Sequence, residues 1–164
     1  MPDELTEIPP AAYRQVLGHF CSGITVVTAI ADGTPAGLTC QSFFSVSLDP
    51  PLVAFSSART SKSYPAIQRA QSFCINILAQ GQQALSTIFA RSGPDKWRDV
   101  SWRPGRRTGS PILDGVLAWV ECTTVAEHEA GDHFLTIGRV VSLEHTGATE
   151  PLLYFRGAYG RLAA

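Results

Sequence analysis

Two long strand-like runs, residues 116–127 and 134–143, are joined across Ala130-Gly131-Asp132-His133. A link this short can close an antiparallel hairpin, whereas parallel pairing needs a crossover of about a dozen residues or more. The same arrangement recurs upstream. Residues 24–30 are rich in Val, Ile and Thr, which favours extended backbone. Asp32-Gly33 then turns the chain back into a partner over 37–41. Crossover units are scarce in such a pattern, and no glycine-rich first turn of a doubly wound sheet is present.

The remaining elements are short. Residues 42–48 alternate around Phe43 or Phe44, Val46 and Leu48, until Asp49-Pro50-Pro51 interrupts pairing, since proline donates no ladder hydrogen bond. Further strands are expected over 52–55, 73–78 and 152–155. Tyr13, Val16, Leu17 and Phe20 fall at i, i+3, i+4 and i+7, one apolar stripe of a short helix. A second helix is expected before Ala70, with Ser63 as N-cap and Pro65 in the first turn. Leu85, Ile88 and Phe89 mark a third. Residues 92–115 carry Gly, Pro, Ser, Asp and Arg with two tryptophans and read as a long irregular stretch, a kind of segment that is often functional. Seven or so strands and three small helices predict a mainly β chain, an antiparallel barrel with short helices at its ends.

Composition narrows the partners. The 164 residues suit one domain, and 45% apolar content supports a real core. We expect a flexible tail over 1–10 and a folded unit over 11–164. A formal net charge of -1 provides no basic field for nucleic acid or an anionic membrane. The first ten residues have no basic start and no apolar stretch, so a cytoplasmic protein is expected. Cys21, Cys40, Cys74 and Cys122 are widely spaced and lack a C-x-x-C pair; buried free thiols are expected. The four histidines never reach H-E-x-x-H spacing, and neither a nucleophile elbow nor a phosphate-binding P-loop is present. We expect no metal site.

What remains is a set of small polar clusters at strand ends: Thr25 to Thr28, Thr39 to Ser42, and Ser56 to Ser63. Hydroxyls and free backbone amides there suit the polar edge of a flat heterocycle. Arg59 to Ser63 offers two cations, three hydroxyls and a following helix start, a combination suited to phosphate. The same residues also suit ordinary capping and turn chemistry.

The ordered blocks are more specific. They run Tyr13-x-x-x-Leu17-x-x-Phe20-x-x-Gly23-Ile24-Thr25-Val26-Val27-Thr28, Gly37-Leu38-Thr39-Cys40-Gln41-Ser42-Phe43, Val46-Ser47-Leu48-Asp49-Pro50-Pro51-Leu52-Val53, Phe73-Cys74-Ile75-Asn76-Ile77-Leu78 and Gly131-Asp132-His133. In this order they resemble the flavin reductase-like family, reductase components of two-component flavin-dependent monooxygenases. The resemblance implies an FMN-binding split β-barrel, homodimeric, with flavin at the subunit interface. It also implies reduction of FMN or FAD by NADH, or NADPH, and transfer of reduced flavin to a separate monooxygenase. No catalytic side chain is implied, because hydride passes directly between cofactors.

Matched residue by residue, the resemblance places Thr25, Val26, Val27, Thr28, Thr39, Cys40, Gln41 and Ser42 along the flavin ring and ribityl chain. Ser56, Ser57, Ser61, Lys62 and Ser63 match the phosphate loop, and Phe89, Lys96 and Trp97 lie where relatives touch or close over the flavin. His133, Tyr154 and Arg156 match the nicotinamide side. Arg103, Arg106 and Arg107 are candidates for the extra phosphate of NADPH, or else a solvated face. Two other functions stay open at this point: a flavin-binding barrel that stores or senses flavin, and an oxidase related to those acting on pyridoxamine phosphate.

Overall fold

The computed structural model describes residues 7–148 and 150–163; most of the expected tail therefore lies outside the described residues. The chain runs α1 (Pro10–Leu17), β1 (Ser22–Gly23), β2 (Thr25–Ala31), β3 (Thr34–Cys40), β4 (Phe44–Ser47), β5 (Leu52–Ala58), α2 (Tyr64–Ala70) and β6 (Ser72–Ile77). It continues through α3 (Gln83–Ala90), β7 (Trp102–Pro104), β8 (Pro111–Leu113), β9 (Ala118–Ala130), β10 (His133–His145), β11 (Leu153–Phe155) and β12 (Ala158–Gly160).

Seven strands form one antiparallel sheet in the order β3-β2-β6-β9-β10-β5-β4. The two hairpins read from the sequence are there. Asp32 and Gly33 sit at φ 52° and 75°, the left-handed pair that a two-residue turn requires. Gly131-Asp132 links thirteen-residue β9 to thirteen-residue β10.

β3 lies at one edge of the sheet and β4, next in the chain, pairs at the other. The sheet therefore curls so that residues 41–43 bridge its edges. There the ladder gives way to side chains. Ser42 Oγ accepts from the Ser56 amide at 2.8 Å and donates to the Ser56 carbonyl at 3.0 Å. This seam is the split in the barrel.

Strands β2 and β6 are covered on both faces. Val27, Phe55, Phe73 and Ile75 pack in one core cluster with Tyr64 and Ile67 of α2. Val26, Cys74, Phe89, Leu113 and Trp119 pack in a second. Both faces being apolar is the mark of an interior strand.

Four local expectations need correction. Residues 92–115 are not irregular throughout: they hold a 3-10 turn and the β7–β8 hairpin. Buried polar groups from distant strands hold this segment. Asn76 of β6 accepts from the Leu113 amide at 2.8 Å and donates to the Pro111 carbonyl at 3.2 Å. Glu121 of β9 takes the Arg107 and Thr108 amides at 3.1 and 2.9 Å. Secondly, α1 ends at Leu17, so Phe20 lies past the helix, and Tyr13, Val16, Leu17 and Phe20 are each more than half exposed. Thirdly, Cys21 is exposed, beside the three buried free thiols, because it falls in the open link between α1 and β1. Fourthly, two short strands were not anticipated, β1 and β12, both paired with β11.

Candidate functional site

A cleft of about 580 Å³ opens along the seam. One wall is the end of β3 and the bridge after it, with Thr39, Cys40, Gln41 and Ser42. The opposite wall is the end of β5, Ser56 to Ala58, running into Ser61, Lys62 and Ser63. Phe89, Arg91 and Lys96 close one end, and His133, Tyr154 and Tyr159 also line it. Twelve of the seventeen predicted site residues therefore share one space.

The other five do not line it. Val26, Val27 and Thr28 are fully enclosed in the two cores, because β2 is covered on both faces. Thr25 is buried as well and spends its hydroxyl on the Cys40 carbonyl at 2.8 Å, bracing the wall from behind. Arg156 is exposed beside α1, its amide bound to the Gly18 carbonyl at 2.8 Å. Arg103, Arg106 and Arg107 also stay outside the cleft; Arg103 lies over the Trp119 ring at 5.4 Å.

Several lining hydroxyls are already committed to the protein. Thr39 Oγ1 donates to the Ser86 carbonyl at 2.6 Å, which ties β3 to α3. The Ser86 hydroxyl in turn meets Tyr159 Oη at 2.8 Å. Ser42 is used up by Ser56. These residues build the walls. Ser61 and Ser63 differ: each hydroxyl oxygen accepts a bond, from the Tyr64 amide at 3.2 Å and from Lys96 Nζ at 3.0 Å respectively. A hydroxyl has one proton to give as well as lone pairs, so both keep that proton for the cleft.

The helix start itself offers little. α2 has seven residues, its Tyr64 amide is taken by Ser61, and Pro65 has no N–H. Any anion here is met by side chains more than by helix amides.

The electrostatics are one-sided. Lys62, Arg91 and Lys96 line the cleft, and no Asp or Glu does among the described residues. Burial holds the Lys96 amine below the ordinary lysine range. Burial raises the Cys40 thiol above its usual range, which keeps it an unreactive packing group. At the start of β10, paired with Ala58, His133 Nδ1 lies 2.7 Å from Asp132 Oδ1. That bond holds the Asp132 carboxyl below the usual carboxylate range. It also places the ring proton on Nδ1, leaving Nε2 for a ligand.

Ser86, Tyr159 and Arg91 were missed by sequence reasoning. Their signal is tertiary: each reaches the cleft from a segment whose own pattern is ordinary helix, strand or turn. Lys96 was noted only as a neighbour of the flavin position; its burial between three elements is invisible in the sequence.

Comparison with known proteins agrees with this arrangement. The flavin reductase like domain model matches residues 17–163. The chain is 44% identical over 155 residues to the flavin-dependent monooxygenase reductase subunit HsaB of Mycobacterium tuberculosis, covering 93% of this chain and 82% of that protein. It is 40% identical over 167 residues to the FMN reductase (NADH) SmoA of Agrobacterium fabrum, covering 99% and 94%. The NADH:FAD oxidoreductase SgcE6 of Streptomyces globisporus, solved with NAD and FAD fragments, superposes with a TM-score of 0.88 at 33% identity, over 93% of this chain and 92% of that one. With its split sheet, its seam cleft and a family match spanning nearly its whole length, the chain belongs to the flavin reductase-like family.

Proposed function

We propose that this protein is an NADH-dependent flavin reductase that delivers reduced FMN or FAD to a separate monooxygenase. The observation that carries the reading is the cleft's composition. One space joins a cation-rich set of residues, with no acid among the described ones, to a wall of strand-end residues and to His133 of the β9–β10 hairpin.

A flavin nucleotide fits these residues. Its phosphate suits Lys62, Arg91 and the free protons of Ser61 and Ser63, and its ring system suits the wall of Thr39 to Ser42. Bound flavin supplies the redox chemistry, accepting hydride from a reduced nicotinamide. The protein's own work is placement. Thr39, Ser86 and Tyr159 fix the spacing of β3 and α3. Ser42 and Ser56 hold the two walls together. His133, oriented by Asp132, presents Nε2 to the nicotinamide, and Tyr154 lines the same cleft. Arg156 is left out of the proposed set by its position.

A second copy of the chain is proposed to cover the exposed apolar face formed by Tyr13, Val16, Leu17 and Phe20, a larger exposed cluster than isolated surface residues account for. No described helix is long and apolar enough to cross a membrane. A cytoplasmic setting is proposed on the free thiols.

Calorimetric titration with FMN and FAD tests the flavin reading. The wild type is expected to bind, and Lys62→Ala is expected to bind more weakly by ~1–3 kcal/mol, the scale of a lost charge-assisted bond. Absence of binding to either flavin would overturn the reading. Unchanged affinity in Lys62→Ala would take the phosphate away from Lys62.

A further inference from the structure

Lys96 is a buried-stem cation with an unusual partner set. Its Nζ donates to the Gly37 carbonyl at 3.3 Å, the Phe89 carbonyl at 3.3 Å and Ser63 Oγ at 3.0 Å. Three donors meet three acceptors, so the ammonium is fully used. All three acceptors are neutral, and among the described residues no carboxylate pairs with it. A part-buried charge without a counterion is costly, and an anion at the open side of the site offsets that cost.

The geometry also sets what Ser63 can do. The Ser63 hydroxyl makes no capping bond to its own helix. Its oxygen accepts a hydrogen bond from Lys96 Nζ, which leaves its own O–H available as a donor. A hydroxyl that accepts from a cation is polarised and becomes a stronger donor itself. Lys96 thus reaches the cleft's ligand in two ways, by its field and through Ser63, while its own protons stay on protein atoms. It also ties together β3, the last turn of α3 and the residue before α2, the three segments that frame this end of the cleft.

We infer that Lys96 is a positioning residue that aims and strengthens the Ser63 hydroxyl as a donor to the phosphate of bound flavin. The inference rests on the flavin reading above and assigns the phosphate-end chemistry within it. Lys62, exposed on the loop, is by contrast a direct and more screened partner.

The test is a double-mutant cycle read by equilibrium binding, with FMN and riboflavin as probes. Riboflavin carries the same ring and ribityl chain without the phosphate. For FMN, Lys96→Met and Ser63→Ala are each expected to raise Kd roughly tenfold, the scale of one charge-assisted hydrogen bond. The double variant is expected to lose less than the product of the two single fold-changes, because part of the Lys96 effect passes through Ser63. Lys96→Arg is expected to recover most of the FMN affinity, and riboflavin affinity is expected to stay unchanged throughout. Additive losses in the double variant would overturn the relay. An equal loss of riboflavin affinity would show a merely structural role and overturn it too. Should Lys96→Met fail to fold, Ser63→Ala decides alone: FMN affinity equal to wild type contradicts the proposal. Equal wild-type affinity for FMN and riboflavin is a separate outcome, because it removes the phosphate site itself.

Discussion

Glu121→Ala is expected to destabilise the protein by about 3 kcal/mol, the scale of removing a buried acceptor from several donors and leaving them unpaired. For a chain of this size that is roughly a 6–12 °C fall in Tm. Glu121 is completely buried on β9. One of its oxygens, Oε1, receives the Arg107 amide, the Thr108 amide and the Thr108 hydroxyl at 3.1, 2.9 and 2.8 Å. Truncation leaves those donors without a partner and opens a cavity beneath the β7–β8 hairpin. The contact is close enough to dictate its neighbour: a Cβ on Gly105 would lie 2.1 Å from Glu121 Oε1. Glu121→Gln keeps an acceptor oxygen in place and is expected to cost less than Glu121→Ala. Thermal melts of the three proteins measure the effect; a Tm for Glu121→Ala equal to wild type would contradict it.

The second large effect is kinetic. His133→Ala is expected to raise the KM for NADH roughly tenfold, about one lost hydrogen bond or ring contact, while flavin affinity changes much less. The reasoning is positional. His133 begins β10 and pairs across to Ala58 at the end of β5, so it enters the cleft beside the wall formed by Ser56 and Ser57. Asp132 fixes its tautomer at 2.7 Å. Steady-state kinetics at saturating flavin, with binding measured separately, resolve the two quantities. A variant that loses flavin affinity and keeps its KM for NADH would place His133 on the wrong side of the site.

Much of the fold was legible from local pattern. The Asp32-Gly33 and Gly131-Asp132 turns are short-range signals, and each produced the hairpin it announced. Ser63 and Pro65 marked the start of α2 for the same reason. The misreadings share a cause: they depend on what lies across space. The apolar stripe of α1 has helical spacing, but spacing does not say whether its cover comes from the same chain. The β7–β8 hairpin looks irregular because its order comes from Asn76 and Glu121, on strands far away in sequence. The candidate site shows the same division. Resemblance located the segments, but the pleat of β2 sends Val26 and Val27 into opposite cores. The hydroxyl-rich segments also look alike in sequence. Only the structure separates Thr39 and Ser42, whose protons are spent on the walls, from Ser61 and Ser63, whose protons are free. Lys96 carries no local signal at all, since its partners come from β3, α3 and the approach to α2.

The central claim is that the seam cleft brings a flavin and a reduced nicotinamide together for turnover. The most direct measurement mixes the purified protein with NADH and either FMN or FAD and follows loss of the reduced nicotinamide's absorbance. Catalytic consumption of NADH in at least one mixture, absent without protein, is the predicted result. A protein that binds flavin yet consumes no NADH with FMN or FAD would contradict the account and identify the cleft as a site of flavin storage or sensing.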